Sequence, residues 1–376
     1  MGRTPAIFLC GCIIAMCSHA DPYPDRHQEP IEDTHANRQQ QYDQIGGYLE
    51  RLKSDSTAKR DEFVQVDFTS PEAYAVSQEK LRDHVRTRIG YPPPDPVTAE
   101  PRLEHVADDA YASIYRMWLE VVQGVDAYGI LSVPHGLTSP APLLICQHGG
   151  GGNPELIHGM IPGTGSGNYG WMVQRALQER YVTYAPALIF PFGGKEEFTG
   201  PDRRKLDEEL RYVGTSILEL YKISRAVDEI VKRPEVDPER IGMMGLSYGG
   251  CYTLYATALD TRIKAAVSSC YFNERARYPW PDWSYFNFLN EFADAELCAL
   301  ISPRPFLIEV GEKDELFTID GARSEADRAK VYWEKLGVPE RFVLEVFDGA
   351  HEFKGDRAYD FVRPYLKGEQ STAVPE

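Results

Sequence analysis

Short apolar runs alternate with helix-period segments along most of this chain. Tyr115 to Val122 and Ala127 to Val133 read as two strands joined at Gly124, which predicts a hairpin-like pair. Leu143 to Gln147 is a short apolar run of the kind expected for a strand buried on both faces. Trp171 to Gln178 reads as a helix and Val182 to Ala187 as the next strand. Asp207 to Lys232 is a long amphipathic segment that Arg233-Pro234 ends. Arg240 to Gly245, Ala265 to Ser269, Phe306 to Val310 and Val343 to Phe347 are further β-rich runs, with helical segments between them. This alternation predicts an α/β fold with a mainly parallel central sheet covered by helices on both faces.

The first part of the chain has a different texture. Residues 1–20 read as a secretory signal: Arg3 supplies the positive end, Pro5 to Cys17 is largely apolar, and Ser18-His19-Ala20 places small residues before a cut. The apolar run is about 13 residues, short of the roughly 20 that span a bilayer. A short membrane anchor is the alternative. Leu9-Cys10-Gly11-Cys12 faintly resembles a lipoprotein box, which makes a lipid anchor on Cys12 the second choice after a secreted or periplasmic location. No other segment is apolar enough to span a membrane. Residues 21–44 are polar and predict a flexible leader. Residues 45–114 predict a helical extension, with helices at Ile45 to Lys53 and Ser70 to Ile89. Ser70-Pro71-Glu72 supplies a cap, a first-turn proline and an early acid, and Gly90-Tyr91-Pro92-Pro93-Pro94 stops the second helix. Residues 115–370 then carry the strand–helix alternation and are expected to form the main α/β domain.

Composition narrows the partners. An apolar fraction of 43% is enough for a packed core. A formal charge of −17 argues against a phosphate-backbone partner, which needs fields of Lys and Arg. Cys146, Cys251, Cys270 and Cys298 lie beyond the leader with no CxxC spacing, so no zinc or dithiol site is predicted.

The strongest chemical signal is Gly245-Leu246-Ser247-Tyr248-Gly249-Gly250, between an apolar run and a helix-compatible stretch. Strand, sharp turn and helix are the context of a nucleophile elbow. The glycines are needed because the chain packs closely on both sides of the serine. A serine nucleophile needs a base, and the base needs an orienting acid. His351 follows the last predicted strand in a turn that Gly349 can form. Asp314 lies just past the strand at Phe306 to Val310, and Glu312, Asp348 and Glu274 are its rivals. His148-Gly149-Gly150-Gly151-Gly152 follows another strand, and its bare amides suit an oxyanion hole together with the amide of Tyr248. Asn153-Pro154 stands where a phosphate-binding loop would carry Gly-Lys-Ser/Thr. His148 itself is read as structural. The aromatic insertion from Tyr278 to Phe286 offers Trp280 and Trp283 either as substrate-binding rings or as cover for a satellite core. Lys195 and Arg203-Arg204 read either as contacts to an anionic substrate or as a solvated helix start.

These stretches resemble the α/β-hydrolase superfamily, in its dienelactone-hydrolase and acetyl-xylan-esterase-like branch, which is also similar to prolyl-oligopeptidase catalytic domains. HGGGG at 148–152, RPEVDPERIGMMGLSYGG at 233–250, RIKAAVSSCYFNE at 262–274, ISPRPFLIEVGEKDELF at 301–317 and GAHEF at 349–353 carry the resemblance. It implies an α/β-hydrolase fold, with Ser247 as nucleophile, Asp314 as acid and His351 as base. It implies the amides of Gly149, Gly150 and Tyr248 as oxyanion donors. Dienelactone hydrolases proper use cysteine where this chain has Ser247. The activity expected is cleavage of carboxylic esters of small molecules or polysaccharides, with acyl or methyl esters on a plant or algal carbohydrate favoured and no metal or cofactor required. The alternatives are a serine peptidase and a noncatalytic carbohydrate-binding protein on the same scaffold.

Overall fold

In the computed structural model, residues 24–188, 215–278, 280 and 283–368 are described. The expected signal segment, Cys12, Lys195 and Arg203-Arg204 lie outside them. Strands β1 (Arg102–Asp108), β2 (Ala112–Val122), β3 (Val125–Pro134), β4 (Ala141–Gln147), β5 (Val182–Pro186), β6 (Val236–Leu246), β7 (Ile263–Ser269), β8 (Phe306–Gly311) and β9 (Phe342–Phe347) form one sheet. Its order is β1-β2-β3-β5-β4-β6-β7-β8-β9. The pairs from β1 to β3, and β3 with β5, are antiparallel. Every pair from β5 across to β9 is parallel.

The pleat sends alternate residues into two cores. Leu143, Ile145, Met243, Ala266 and Ile308 point to one face, and Leu144, Cys146, Met244, Val267 and Leu307 to the other. Burial on both faces is why these strands appear in the sequence as apolar runs. The first core also takes in side chains of α2 (Pro71–Ile89), α5 (Thr215–Ile230), α6 (Tyr248–Leu259), α7 (Asp294–Ile301) and α8 (Ile319–Lys335). The second takes in those of α3 (Pro154–His158), α4 (Met172–Gln178) and α9 (Ala358–Lys367). No helix among the described residues is long and apolar enough to cross a membrane.

Two differences from the sequence expectation concern the first third of the chain. The segment expected as a flexible leader is helical from His35, where α1 (His35–Phe63) begins, rather than from Ile45. Its polar run is rich in good helix formers, and Gln39 donates to Asp43 one turn on at 2.8 Å. The sheet also starts earlier than expected. The span assigned to a helical extension contains β1, which pairs with β2 from Arg102↔Trp118 to Asp108↔Ser113. It is an edge strand with mostly exposed side chains, so it lacks the apolar run that marks the others. Two compact units divide the chain, one ending at Leu52 and the other beginning at Lys53; the sheet and all of its helices from α2 onward lie in the second.

Helix α2 is joined to the rest of the second unit by polar as well as apolar contacts. The Ser70 side chain caps its start by accepting from the Ala73 N–H, and Gly90 closes it in the left-handed region. Gln78 and Arg82 donate to main-chain carbonyls at the ends of α6 and α7, with Arg82 Nε 2.9 Å from Ala258 O and Nη2 3.2 Å from Leu300 O. Val85 and Ile89 are buried in the core beneath. Ile89→Ala is therefore expected to cost about 2–5 kcal/mol in urea unfolding, and a loss under about 1 kcal/mol would show that α2 stands apart from that core.

Candidate active site

Ser247 sits at the turn between β6 and α6 with φ 59° and ψ −118°, a conformation that non-glycine residues seldom adopt. Two glycines make the turn sterically feasible. A Cβ on Gly245 would lie 2.5 Å from the Gly249 carbonyl, and one on Gly249 would lie 2.2 Å from Gln147 O. The Ser247 N–H donates to Ser269 O at 2.8 Å, which ties the turn to the end of β7. The side chain of Ser247 is partly exposed at the C-terminal edge of the sheet.

Asp314 lies after β8 in a turn closed by its N–H on Gly311 O. Its Oδ1 accepts the N–H groups of Leu316 at 2.8 Å and Phe317 at 3.1 Å. Its Oδ2 is 2.9 Å from His351 Nδ1. Burial alone would raise the Asp314 pKa. The hydrogen bond and charge of His351, with the two backbone N–H groups, outweigh burial and hold the carboxyl below its usual range. With Nδ1 donating to Asp314, Nε2 of His351 is left as the basic nitrogen. The three rivals are elsewhere: Asp348 pairs with Lys313, Glu274 pairs with Arg277, and Glu312 is exposed. No hydrogen bond joins Ser247 Oγ to the imidazole among the described residues.

The glycine loop lies against the elbow, since a Cβ on Gly149 would sit 2.9 Å from Leu246 O and 3.1 Å from Ser247 Cβ. The Gly149 N–H donates to the Tyr169 hydroxyl at 3.2 Å. Tyr169 was not singled out by the sequence, which carries no signal for it. The tyrosine is buried, and that burial pushes its pKa up to about 12, so the phenol stays protonated. Gly150 N–H has no acceptor among the described residues. His148 is fully buried, donating from Nδ1 to Gly149 O at 2.8 Å and accepting the Leu188 N–H on Nε2 at 2.9 Å. Burial pushes its pKa down to about 4, so it braces the loop as a neutral ring.

Aromatic rings line the other side. Phe317 stacks on the His351 ring with centroids 5.8 Å apart. Trp283 packs 4.7 Å from the Tyr248 ring and 4.5 Å from Trp280, centroid to centroid, and is 3% exposed. Trp280 keeps a partly exposed face. Beneath Trp283, Arg275 pairs with Asp294 at 3.0 Å, both buried, with the guanidinium 4.1 Å from the Tyr271 ring centroid. Cys270, at φ 48°, completes the floor. Its sulfur and the ligand atoms of Asp314 and His351 lie within 4.8 Å of one another, the grouping among the described residues that metal chemistry would use. Burial first, and then the charge of Asp314, push the Cys270 thiol up to about 12. It is therefore a neutral thiol, and its neighbours already bond to each other. Cys146, Cys251 and Cys298 are buried thiols too.

The comparisons agree with this architecture. The family profile described as acetyl xylan esterase (AXE1) matches residues 95–277. YtaP of Bacillus subtilis (strain 168), whose name describes it as a hydrolase, is 25% identical over 216 residues, covering 53% of this chain and 69% of its own. Carbohydrate esterase MZ0003, from an unknown prokaryotic organism, is 24% identical over 213 residues, covering 49% of this chain and 48% of its own. Among solved structures, methylesterase BT1017 is similar with a TM-score of 0.59 at 19% identity, covering 82% of this chain and 69% of its own. A glucuronoyl esterase from Solibacter usitatus is similar with a TM-score of 0.61 at 18% identity, covering 78% of this chain and 93% of its own. With the sheet order and the elbow on which they bear, these matches give the chain the α/β-hydrolase fold, show its similarity to acetyl xylan esterases over residues 95–277, and support a carboxylic ester hydrolase by class.

Proposed function

We propose that this protein is an exported serine esterase that removes acyl or methyl groups from a carbohydrate through a covalent acyl-enzyme. Ser247 Oγ attacks the ester carbonyl while His351 Nε2 takes its proton. Asp314 keeps the imidazole in the tautomer that leaves Nε2 free, and it stabilises the imidazolium that forms. The amides of Gly150 and Tyr248 face the developing oxyanion, and that of Gly149 joins them when it leaves the Tyr169 hydroxyl. The imidazolium then gives its proton to the leaving alkoxide, and an alcohol departs. Water, activated by the same base, attacks the acyl-enzyme and releases the acid.

The observation that carries this reading is the 2.9 Å contact between Asp314 and His351, made on the sheet edge where the elbow presents Ser247. Two observations support the carbohydrate assignment. The names of similar proteins point to sugar esters. Trp280 offers a ring face beside the elbow for a sugar to stack on, with Trp283 as its buried backing. The apolar segment with small residues at 18–20 motivates export.

Ser247→Ala is expected to lower turnover of p-nitrophenyl acetate by about 10³-fold or more while leaving thermal unfolding near wild type. Wild-type turnover in that variant would remove Ser247 from the mechanism. In a panel of acetylated and methyl-esterified polysaccharides, release of acetate or methanol is expected. Sugar binding without release would favour a noncatalytic scaffold, and faster cleavage of aminoacyl amides than of esters would favour a peptidase.

The acid makes a second prediction. The Asp314 pKa is depressed in the folded state, so its stabilising contribution is present above the unfolded value of 3.8 and is lost as pH falls through the lower folded value. The stability gap between wild type and Asp314→Asn, read by urea unfolding, should be full at pH ~7 and narrow below pH ~4. A gap that stays constant through that window would mean that Asp314 gains nothing from ionising beside His351.

A further inference from the structure

The loop that carries His351 is held from beneath by side chains that the proposed reaction does not use. Cys270 Sγ lies 3.8 Å from Ala350 O and 3.3 Å from Glu352 O, and the Ser269 hydroxyl donates to Glu352 O at 3.1 Å. Arg175, from α4, donates to Lys354 O at 3.0 Å and Gly355 O at 2.6 Å. Glu309, in the middle of β8, accepts the Gly355 N–H on Oε1 at 2.8 Å. Its other oxygen, Oε2, is buried and has no hydrogen-bond partner among the described residues. Glu309 is also the register partner of Glu345 on β9, which has a buried unpartnered oxygen of its own. We infer that Glu309 is a positioning residue for the proposed base: as a neutral carboxylic acid it clasps the 350–355 loop, and its ionisation releases that loop.

The neutral form is the one that satisfies the site. Protonation removes the charge from the buried, unpartnered Oε2 and gives it a proton to offer toward the nearby Ser269 hydroxyl oxygen, whose own proton goes to Glu352 O. An ionised Glu309 would leave Oε2 without a donor, buried next to a second carboxyl across the strand pair. Burial, then the charge of Glu345, push Glu309 up to about 8, against the opposing pull of the Gly355 N–H, Ser269 and Arg175. Glu345 is raised too, by burial first, with Asp356 adding to the shift and Arg357 and Lys354 opposing it. From α9 the Tyr359 hydroxyl faces the same space and is bonded to Met172 O. Because the folded value is raised, the contribution of Glu309 to stability is complete below the unfolded value of 4.5. It is lost as pH rises through about 8.

This inference rests on His351 being the base, and the experiment separates the two claims. Glu309→Gln keeps an acceptor for Gly355 and a donor for Ser269 but cannot ionise. Wild-type kcat is expected to fall on the alkaline side with an apparent pKa near 8, while melting temperature falls across the window from 4.5 to about 8 and then levels. Glu309→Gln should abolish both declines, with kcat near pH 6.5 within about twofold of wild type and KM unchanged. Glu309→Ala, which loses the clasp, should lower kcat by about tenfold or more at every pH with little change in KM. An unchanged alkaline limb in Glu309→Gln, or wild-type kcat in Glu309→Ala, overturns the clasp. If the alanine variant does not fold, the glutamine variant decides alone. Run alongside, an inactive Ser247→Ala with an unaltered Glu309→Gln limb would sink the clasp and leave the serine mechanism standing. An active Ser247→Ala would sink both.

Discussion

The turn at Ser247 exists only because two stretches of backbone touch without side chains between them. Gly249 faces the Gln147 carbonyl at a distance that no Cβ could share, and Gly245 faces Gly249 in the same way. These contacts let β6 reverse directly into α6 and hold Ser247 at positive φ, a strained state that the surrounding structure must over-determine. The same closeness brings the loop after β4 against the elbow, because β4 and β6 are adjacent parallel strands whose register runs to Gln147↔Gly245. The position of a hydroxyl and the position of the nearby amides are thus fixed by one contact.

On the other side of β6, strand order supplies the partners. β7, β8 and β9 follow in sequence and in space, so Cys270, Asp314 and His351 emerge side by side along one edge. The parallel pairing does not stop where the strands end. Glu312 N–H donates to Phe347 O and Lys313 N–H to Gly349 O, each at 2.8 Å, and this ladder carries the acid loop and the histidine loop together beyond the sheet. Gly311 permits it, since a Cβ there would meet Ala350 O at 2.0 Å. An Asp–His contact at the tip is therefore the consequence of backbone bonds lower down, with the side chains adding the last few hydrogen bonds.

How much of this could be read from residues alone follows the physics of burial. Strands β4 to β9 are packed on two faces and advertise themselves as apolar runs. The edge strand β1, paired on one side and largely exposed, does not, and its residues read as part of a helical extension. The polar helix from His35 has no apolar stripe to announce it. Ser247, Asp314 and His351 stand out as candidates in the sequence because each follows closely on a recognisable strand. Trp283 was visible as an aromatic, but its burial behind Trp280 depends on Phe317 and Tyr271, which are distant in sequence. Tyr169 had no signal, as it reaches Gly149 from a loop whose path is set only by tertiary packing. Glu309 did leave one: it is the single charged residue in the run Phe306-Leu307-Ile308-Glu309-Val310.

That odd residue shows why a sheet-edge site needs polar groups in its foundations. The segment 350–355 is irregular, so its amides and carbonyls have no ladder to satisfy them. An apolar side chain at position 309 would leave the Gly355 N–H without an acceptor, at a cost of about 1–3 kcal/mol. A permanently charged one would lie beside Glu345 with no cation within hydrogen-bond distance among the described residues. A carboxylic acid that keeps its proton meets both requirements, accepting from Gly355 and donating toward Ser269. The arrangement makes the loop's rigidity depend on a proton, whereas the elbow opposite depends only on the absence of a Cβ.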